Sequence, residues 1–144
     1  MPKSTATCNS ILALIFNATA WADMAENDTS SPNTNLYVSL HTASPGVGND
    51  QTTNETAYTN YARVAVVRTT SGWAVPSAGA TSNAALVQFP QCGVTGSTIT
   101  YVAIGTAASG AGTVLYQGAL NSSLAVSNLI QPQFAIGDLD VTET

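Results

Sequence analysis

Between Leu36 and Thr142 the sequence returns repeatedly to short runs of alternating apolar and polar residues, separated by stretches rich in Gly, Pro, Asn and Ser. A period of two puts successive side chains on opposite faces of an extended chain, so such runs form half-buried strands rather than helices. The clearest is Leu36–His41, which leads into the turn Ser44-Pro45-Gly46. Leu36, Val38 and Leu40 fall on one face; Tyr37, Ser39 and His41 fall on the other. In the turn, proline presets φ and glycine supplies a positive φ without a Cβ clash. Further runs are Tyr61–Arg68, Ala84–Phe89, Thr98–Gly105, Thr113–Leu120, Leu124–Ile130, Gln133–Ile136 and Leu139–Thr142. About eight short strands at roughly 8–12-residue spacing predict a mainly β chain, a β-sandwich or jelly roll. Thr98–Gly105 is apolar on both faces, which places it centrally or under a helix. The absence of an internal repeat argues against a solenoid or a repetitive fibre shaft.

The region before the first strand has a different period. Ile11, Leu12, Ile15, Trp21 and Met24 recur near three-and-four spacing, with Leu14 and Phe16 widening the stripe. That predicts one amphipathic helix from residue 5 to about 26, capped by Thr5 or Ser10. Asp23, Glu26 and Asp28 oppose the dipole at its expected end. Residues 27–35, with Pro32, read as a linker, and residues 47–60 as a long polar loop. Loops of that length usually make contacts. At 144 residues the chain is expected to be a single domain, 1–144, with an N-terminal arm and helix over 1–26 and a β-sandwich over 36–144. Lys3, the apolar run Ile11–Phe16 and Ala18-Thr19-Ala20 imitate a signal peptide, but the run is at the bottom of the usual length, so no cleavage is expected. No run approaches the ~20 apolar residues of a transmembrane helix.

Charge narrows the partners. Only 8% of residues are charged, the net charge is −5, and the basic side chains are Lys3, Arg63 and Arg68. Three cations cannot displace counterions along a phosphate backbone, so nucleic acid is not an expected partner. Nor do they make a basic surface for anionic membranes. The polar surface must be built from Thr, Ser, Asn and Gly, as in an assembled or extracellular structural protein, since charge is depleted at interface cores.

Chemistry is sparse. His41 is the sole histidine, with Ser39 two residues away and Asp50 in the following loop. A mid-strand serine lacks the strained turn and oxyanion donors of a nucleophile, so no catalytic residue is assigned. Asp138 and Asp140 read as solvated strand-end charges, and Gly105–Gly112 lacks the Lys-Ser/Thr of a phosphate loop. Cys8 and Cys92 could pair, but two cysteines are no disulfide framework; they read as two small buried or semi-exposed thiols, and with His41 they form no metal-ligand spacing. No cofactor and no metal are expected. Trp21, Trp73, Tyr37 and Tyr61 suit a sugar-binding face, though scattered aromatics more often anchor cores and interfaces.

Leu36-Tyr37-Val38-Ser39-Leu40-His41-Thr42-Ala43, then Pro45-Gly46, resembles a recurring pattern in small structural proteins of tailed bacteriophages, which are tail-fibre-like or head decoration proteins. The likeness continues through Glu55, Tyr61-Ala62-Arg63, Ser82-Asn83-Ala84-Ala85, Phe89-Pro90, Ile104-Gly105 and Leu115–Leu120, and ends with Phe134–Gly137, Leu139 and Val141-Thr142. The family often carries Asp where this chain has Ser44. The resemblance implies a non-enzymatic virion component. The favoured expectation is a decoration (cement) protein on the outer capsid surface. Its partners would be the major capsid protein and further copies of itself, met in the host cytoplasm during assembly. The alternatives are a tail or fibre-base protein and, from another class, a glycan-binding adhesin. Trp21, Tyr37, Ser39, His41, Pro45, Gly46, Tyr61 and Arg63 are the candidate contact residues.

Overall fold

A computed structural model describes residues 2–144. Among them the elements run α1 (Thr5–Asn17), β1 (Asn35–His41), β2 (Val64–Val67), β3 (Ala80–Thr81), β4 (Val87–Gln88), β5 (Ser97–Gly105), β6 (Val114–Val126), β7 (Gln133–Phe134) and β8 (Val141–Thr142). The chain is mainly β with one N-terminal helix, as its periodicity predicts. The strands form one four-stranded sheet in the order β2-β1-β5-β6 and two two-stranded ladders, β3-β8 and β4-β7. The framework divides into two compact units. One comprises the chain up to Asn35, Val66–Leu86 and Phe134–Thr144; the other comprises Leu36–Ala65 and Val87–Gln133.

In the first unit the helix starts at Thr5, as expected, but its cap is neither Thr5 nor Ser10. Ser4 is the N-cap, its hydroxyl accepting the Thr7 N–H at 3.2 Å. Cys8, Leu12 and Phe16, four residues apart, form the buried stripe. Phe16 meets the fully buried Trp73 edge-on, with ring centroids 4.7 Å apart. The helix ends at Asn17 rather than near residue 26. Ala18 takes a left-handed conformation, φ 52°, and the Thr19 N–H returns to the Ala13 carbonyl at 3.1 Å, a local cap to which a side chain far along the chain adds. Arg68 donates from Nε to the Ile15 carbonyl and from Nη2 to the Leu14 carbonyl, both at 2.7 Å, and from Nη1 to the Asn33 carbonyl. A cation on the last carbonyls satisfies orphan acceptors and complements the dipole. Trp21 and Met24 therefore lie beyond the helix, and Met24 is 70% exposed.

The same unit explains a shortened strand. Asn83, almost wholly buried, donates from Nδ2 to the Ala85 and Ala135 carbonyls, each at 2.8 Å, and accepts the Leu139 N–H at 2.9 Å. A side chain thus takes the Ala85 carbonyl that a ladder would need, and the expected strand Ala84–Phe89 begins only at Val87. Ala80–Thr81, outside the alternating runs of the sequence, pairs antiparallel with Thr142 and Val141.

In the second unit β5 is the hub. It pairs antiparallel with β1 from Tyr37↔Gly105 to His41↔Tyr101, and with β6 from Ser97↔Val126 to Gly105↔Val114. Leu36, Val38, Leu40, Ile99 and Ala103 are buried. The two expected strands Thr113–Leu120 and Leu124–Ile130 are corrected to one, β6, which ends at Val126. Ile99 stands opposite Leu124 and Tyr101 opposite Ala119, so residues 120–123 bulge where β5 has Thr100 alone. Pairing with β5 before and after the bulge carries the strand through what looks like a break. Both cysteines are buried and unbridged.

Candidate functional site

Strand alternation sends Ser39 and His41 to one face of β1, but that face is internal: both are wholly buried. They are not the surface residues that alternation suggests. The cause is the loop after β1, which folds back onto the strand. The Thr42 N–H donates to the Asn54 carbonyl and the Thr56 N–H to the Leu40 carbonyl, each at 2.9 Å. This return brings in Gln51, also wholly buried. Gln51 Nε2 donates to the Tyr37 carbonyl at 3.2 Å and to Ser39 Oγ at 3.4 Å; its Oε1 accepts the Ala107 N–H at 3.1 Å.

The histidine completes the chain of bonds. A peptide carbonyl can only accept, so His41 Nδ1–H donates to Thr53 O at 2.9 Å. In the neutral ring Nε2 is then the acceptor for the Ser39 hydroxyl, also at 2.9 Å. Burial holds the imidazole pKa below its ordinary 6.5; the Arg63 charge pushes the same way, while the Thr53 carbonyl and Glu55 oppose it. Ser39 and His41 have the spacing of a nucleophile and its base, yet the second ring nitrogen faces a peptide rather than a carboxylate. Asp50 turns instead to the Thr52 N–H and hydroxyl. Sealed from solvent, the pair acts as a polar lock between strand and loop.

A second lock lies beside it. Arg63, its side chain 2% exposed, grips both oxygens of Glu55, from Nε and Nη2, each at 2.7 Å. The same guanidinium donates to the Ala107 carbonyl at 2.9 Å and the Gly110 carbonyl at 2.8 Å, so it ties the loop after β1 to the β5–β6 turn. Tyr61 donates its hydroxyl to Glu55 Oε1 at 2.8 Å and accepts the Leu40 N–H at 3.0 Å; burial pushes its pKa far up. Tyr58 donates to the Pro90 carbonyl, and burial pushes its pKa up to about 12.

Of the eight candidate contact residues, Ser39, His41, Tyr61 and Arg63 serve internally in these locks, while Tyr37 is half-buried and lends only its backbone carbonyl, to Gln51. Pro45 is buried and Gly46 takes φ 78° in the turn, its N–H donating to Ser44 Oγ. Trp21 belongs to the first unit, half-buried, where its backbone closes a turn with Ala25. Residues whose packing faces solvent are the loop members Thr42, Ala43, Val47, Gly48, Asn49, Thr52 and Asn54, with Val47 95% exposed. The locks hold this loop as an ordered outer surface. Gln51, which is central to the arrangement, carries no signal in the sequence beyond lying in an unusually long loop.

No helix among the described residues is long and apolar enough to cross a membrane, and among them no three His, Cys, Asp or Glu residues gather to hold a metal. A family model described as "Podophage GP4 fiber I protein gp80" matches residues 2–142. No curated protein matches the chain.

Proposed function

The chain belongs to the podophage fibre I protein family, gp80, across nearly its whole length, and from this we propose that it is a non-enzymatic virion protein working at the base of a tail fibre. Membership of this family makes the chain a phage structural protein of the virion. The observation that supports a purely structural role is the investment of the polar side chains of the second unit in locks. Ser39, His41, Gln51, Glu55 and Arg63 are spent on fixing a loop and a turn. A pre-ordered, weakly charged surface loses little entropy on docking, and that suits a part whose task is attachment. Its partners on this reading are neighbouring virion proteins and its own copies, with the 42–57 loop as one contact.

The sequence-based expectation of a head decoration protein, bound to the major capsid protein, remains the second reading. It is favoured by the lack of any repeat or shaft-like segment in the chain. Immunogold labelling of purified particles separates the two. Gold at the tail supports the fibre-base reading, and gold spread over the head overturns it in favour of decoration.

A further inference from the structure

Ser39 faces one more hydrogen-bond acceptor than its single proton can serve. Its Oγ lies 2.9 Å from His41 Nε2, 3.4 Å from the Ala103 carbonyl of β5 and 3.4 Å from Gln51 Nε2. The Gln51 amide nitrogen can only donate, so it takes one lone pair of the hydroxyl. The other two neighbours are both acceptors while the ring is neutral, and one O–H serves only one of them. His41 Nε2 is the nearer and receives the Ser39 proton, which leaves the Ala103 carbonyl as the alternative.

A charged ring reverses these roles. Nε2 then carries its own hydrogen and must donate, and the atom it faces is Ser39 Oγ, whose second lone pair accepts. The Ser39 proton turns to the Ala103 carbonyl. One proton enters from solvent and bonds to Nε2; no covalent bond breaks, and only the Ser39 O–H rotates. Nδ1–H keeps the Thr53 carbonyl at 2.9 Å, now as a cationic donor, and such bonds are about twice as strong as neutral ones. His41 stands between Tyr101, its partner on β5, and Glu55, which it meets across an isolated bridge. The charges that act on the ring are Glu55 and Arg63, which hold each other by two hydrogen bonds and push in opposite directions. Asp50 is turned to the Thr52 N–H, and Tyr61 keeps its proton because burial drives its pKa far up.

We propose that Ser39 is a hydroxyl switch that lets His41 be charged in place, so that the loop after β1 stays fastened to the strand on both sides of the titration. The loss of overall stability in acid then reflects a buried charge and not a released loop. The use of such a switch, a contact surface that keeps its shape in mild acid, rests on the role proposed above for that loop. The switch itself does not, and it is tested on the isolated chain.

The experiment is an NMR titration of the His41 ring in the full chain, with amide hydrogen exchange at Thr42 and Thr56, whose N–H groups bind the Asn54 and Leu40 carbonyls. The expected ring is the Nδ1–H tautomer above its midpoint and doubly protonated below it, with both amides equally protected in the two states once intrinsic exchange is corrected for pH. Ser39→Ala removes the acceptor for Nε2–H. Its ring binds protons about tenfold more weakly, the difference between losing a charged and a neutral hydrogen bond, and both amides lose protection as the ring is charged. Ser39→Thr keeps a hydroxyl and keeps the parent midpoint. Parent amides that lose protection in step with the ring overturn the proposal. So does a ring that stays neutral until the chain unfolds, or a Ser39→Ala midpoint equal to the parent's. Where Ser39→Ala does not fold, the ring and amides of the parent decide by themselves.

Discussion

Arg63 and Glu55 form a two-pronged ion pair, Nε and Nη2 each 2.7 Å from a separate carboxylate oxygen, at a position where the arginine side chain is almost fully shielded. Bidentate geometry makes this pair directional, and the remaining donors go to the Ala107 and Gly110 carbonyls, so one side chain sets the spacing between a loop and a hairpin turn.

Removing that cation should therefore be costly. Arg63→Ala leaves Glu55 shielded without its partner and two carbonyls without their donor, and is expected to destabilise by about 3–5 kcal/mol in chemical denaturation. Arg63→Lys keeps the charge but loses the fork, and should recover only part of the loss. A variant within experimental error of the parent would show that the pair is not a fastening.

Stability should fall on mild acidification. The native pKa of His41 lies below 6.5, so above pH 6.5 both folded and unfolded chains hold it neutral and its contribution is complete. As pH drops through 6.5 the unfolded chain takes up a proton that the folded chain refuses, and the loss levels off once pH passes the native value. The slope is limited to one proton, about 1.4 kcal/mol per pH unit. Asp28 and Asp50 are also depressed, by hydrogen bonds to Ser30 and Thr52, but from 3.8, so they act in a lower window. Denaturation midpoints of the parent and of His41→Gln between pH 5 and 7.5 check this. The parent should vary, and the variant should be flat across that range.

Gly105 carries no Cβ because the Gln51 amide occupies that space, with the Thr113 carbonyl close behind. Gly105→Ala should cost about 1–3 kcal/mol by overpacking. In a Gln51→Ala background the same substitution should cost less, since the crowding amide is gone; equal costs in both backgrounds would mean that the two sites do not couple.

Arg68→Ala should strip donors from the Leu14, Ile15 and Asn33 carbonyls, with a loss of about 1.5–3 kcal/mol for the charged hydrogen bonds. Weakening of the far-UV helical signal before global unfolding, seen by circular dichroism, is the expected signature.

These positions also show how far the sequence can be read. The β1 alternation was plain, and Leu36, Val38 and Leu40 are the core residues it implies. Its other face could not be assigned to the interior, because what covers Ser39 and His41 is Gln51, a polar residue in a loop with no periodicity. The helix start at Thr5 is local and legible in the sequence, with the cap at Ser4, one residue before the earlier of the two expected caps. Its end falls at a left-handed alanine, Ala18, which no local propensity favours, and the Leu14 and Ile15 carbonyls there are met by Arg68, some fifty residues on. The mainly β class is legible in the sequence, whereas the bulge at 120–123 reads as a gap because its continuity is supplied by β5. Ser39 and His41 fall on the face that alternation turns outward, and it is the returning loop that makes that face interior.

The most direct measurement of the central claim is a mass-spectrometric count of this chain in purified particles. A fibre-base protein should be present in a small, fixed number of copies that stay with isolated tails. Hundreds of copies per particle that stay with tailless heads would contradict the fibre-base assignment, and absence from purified particles would contradict a virion role altogether.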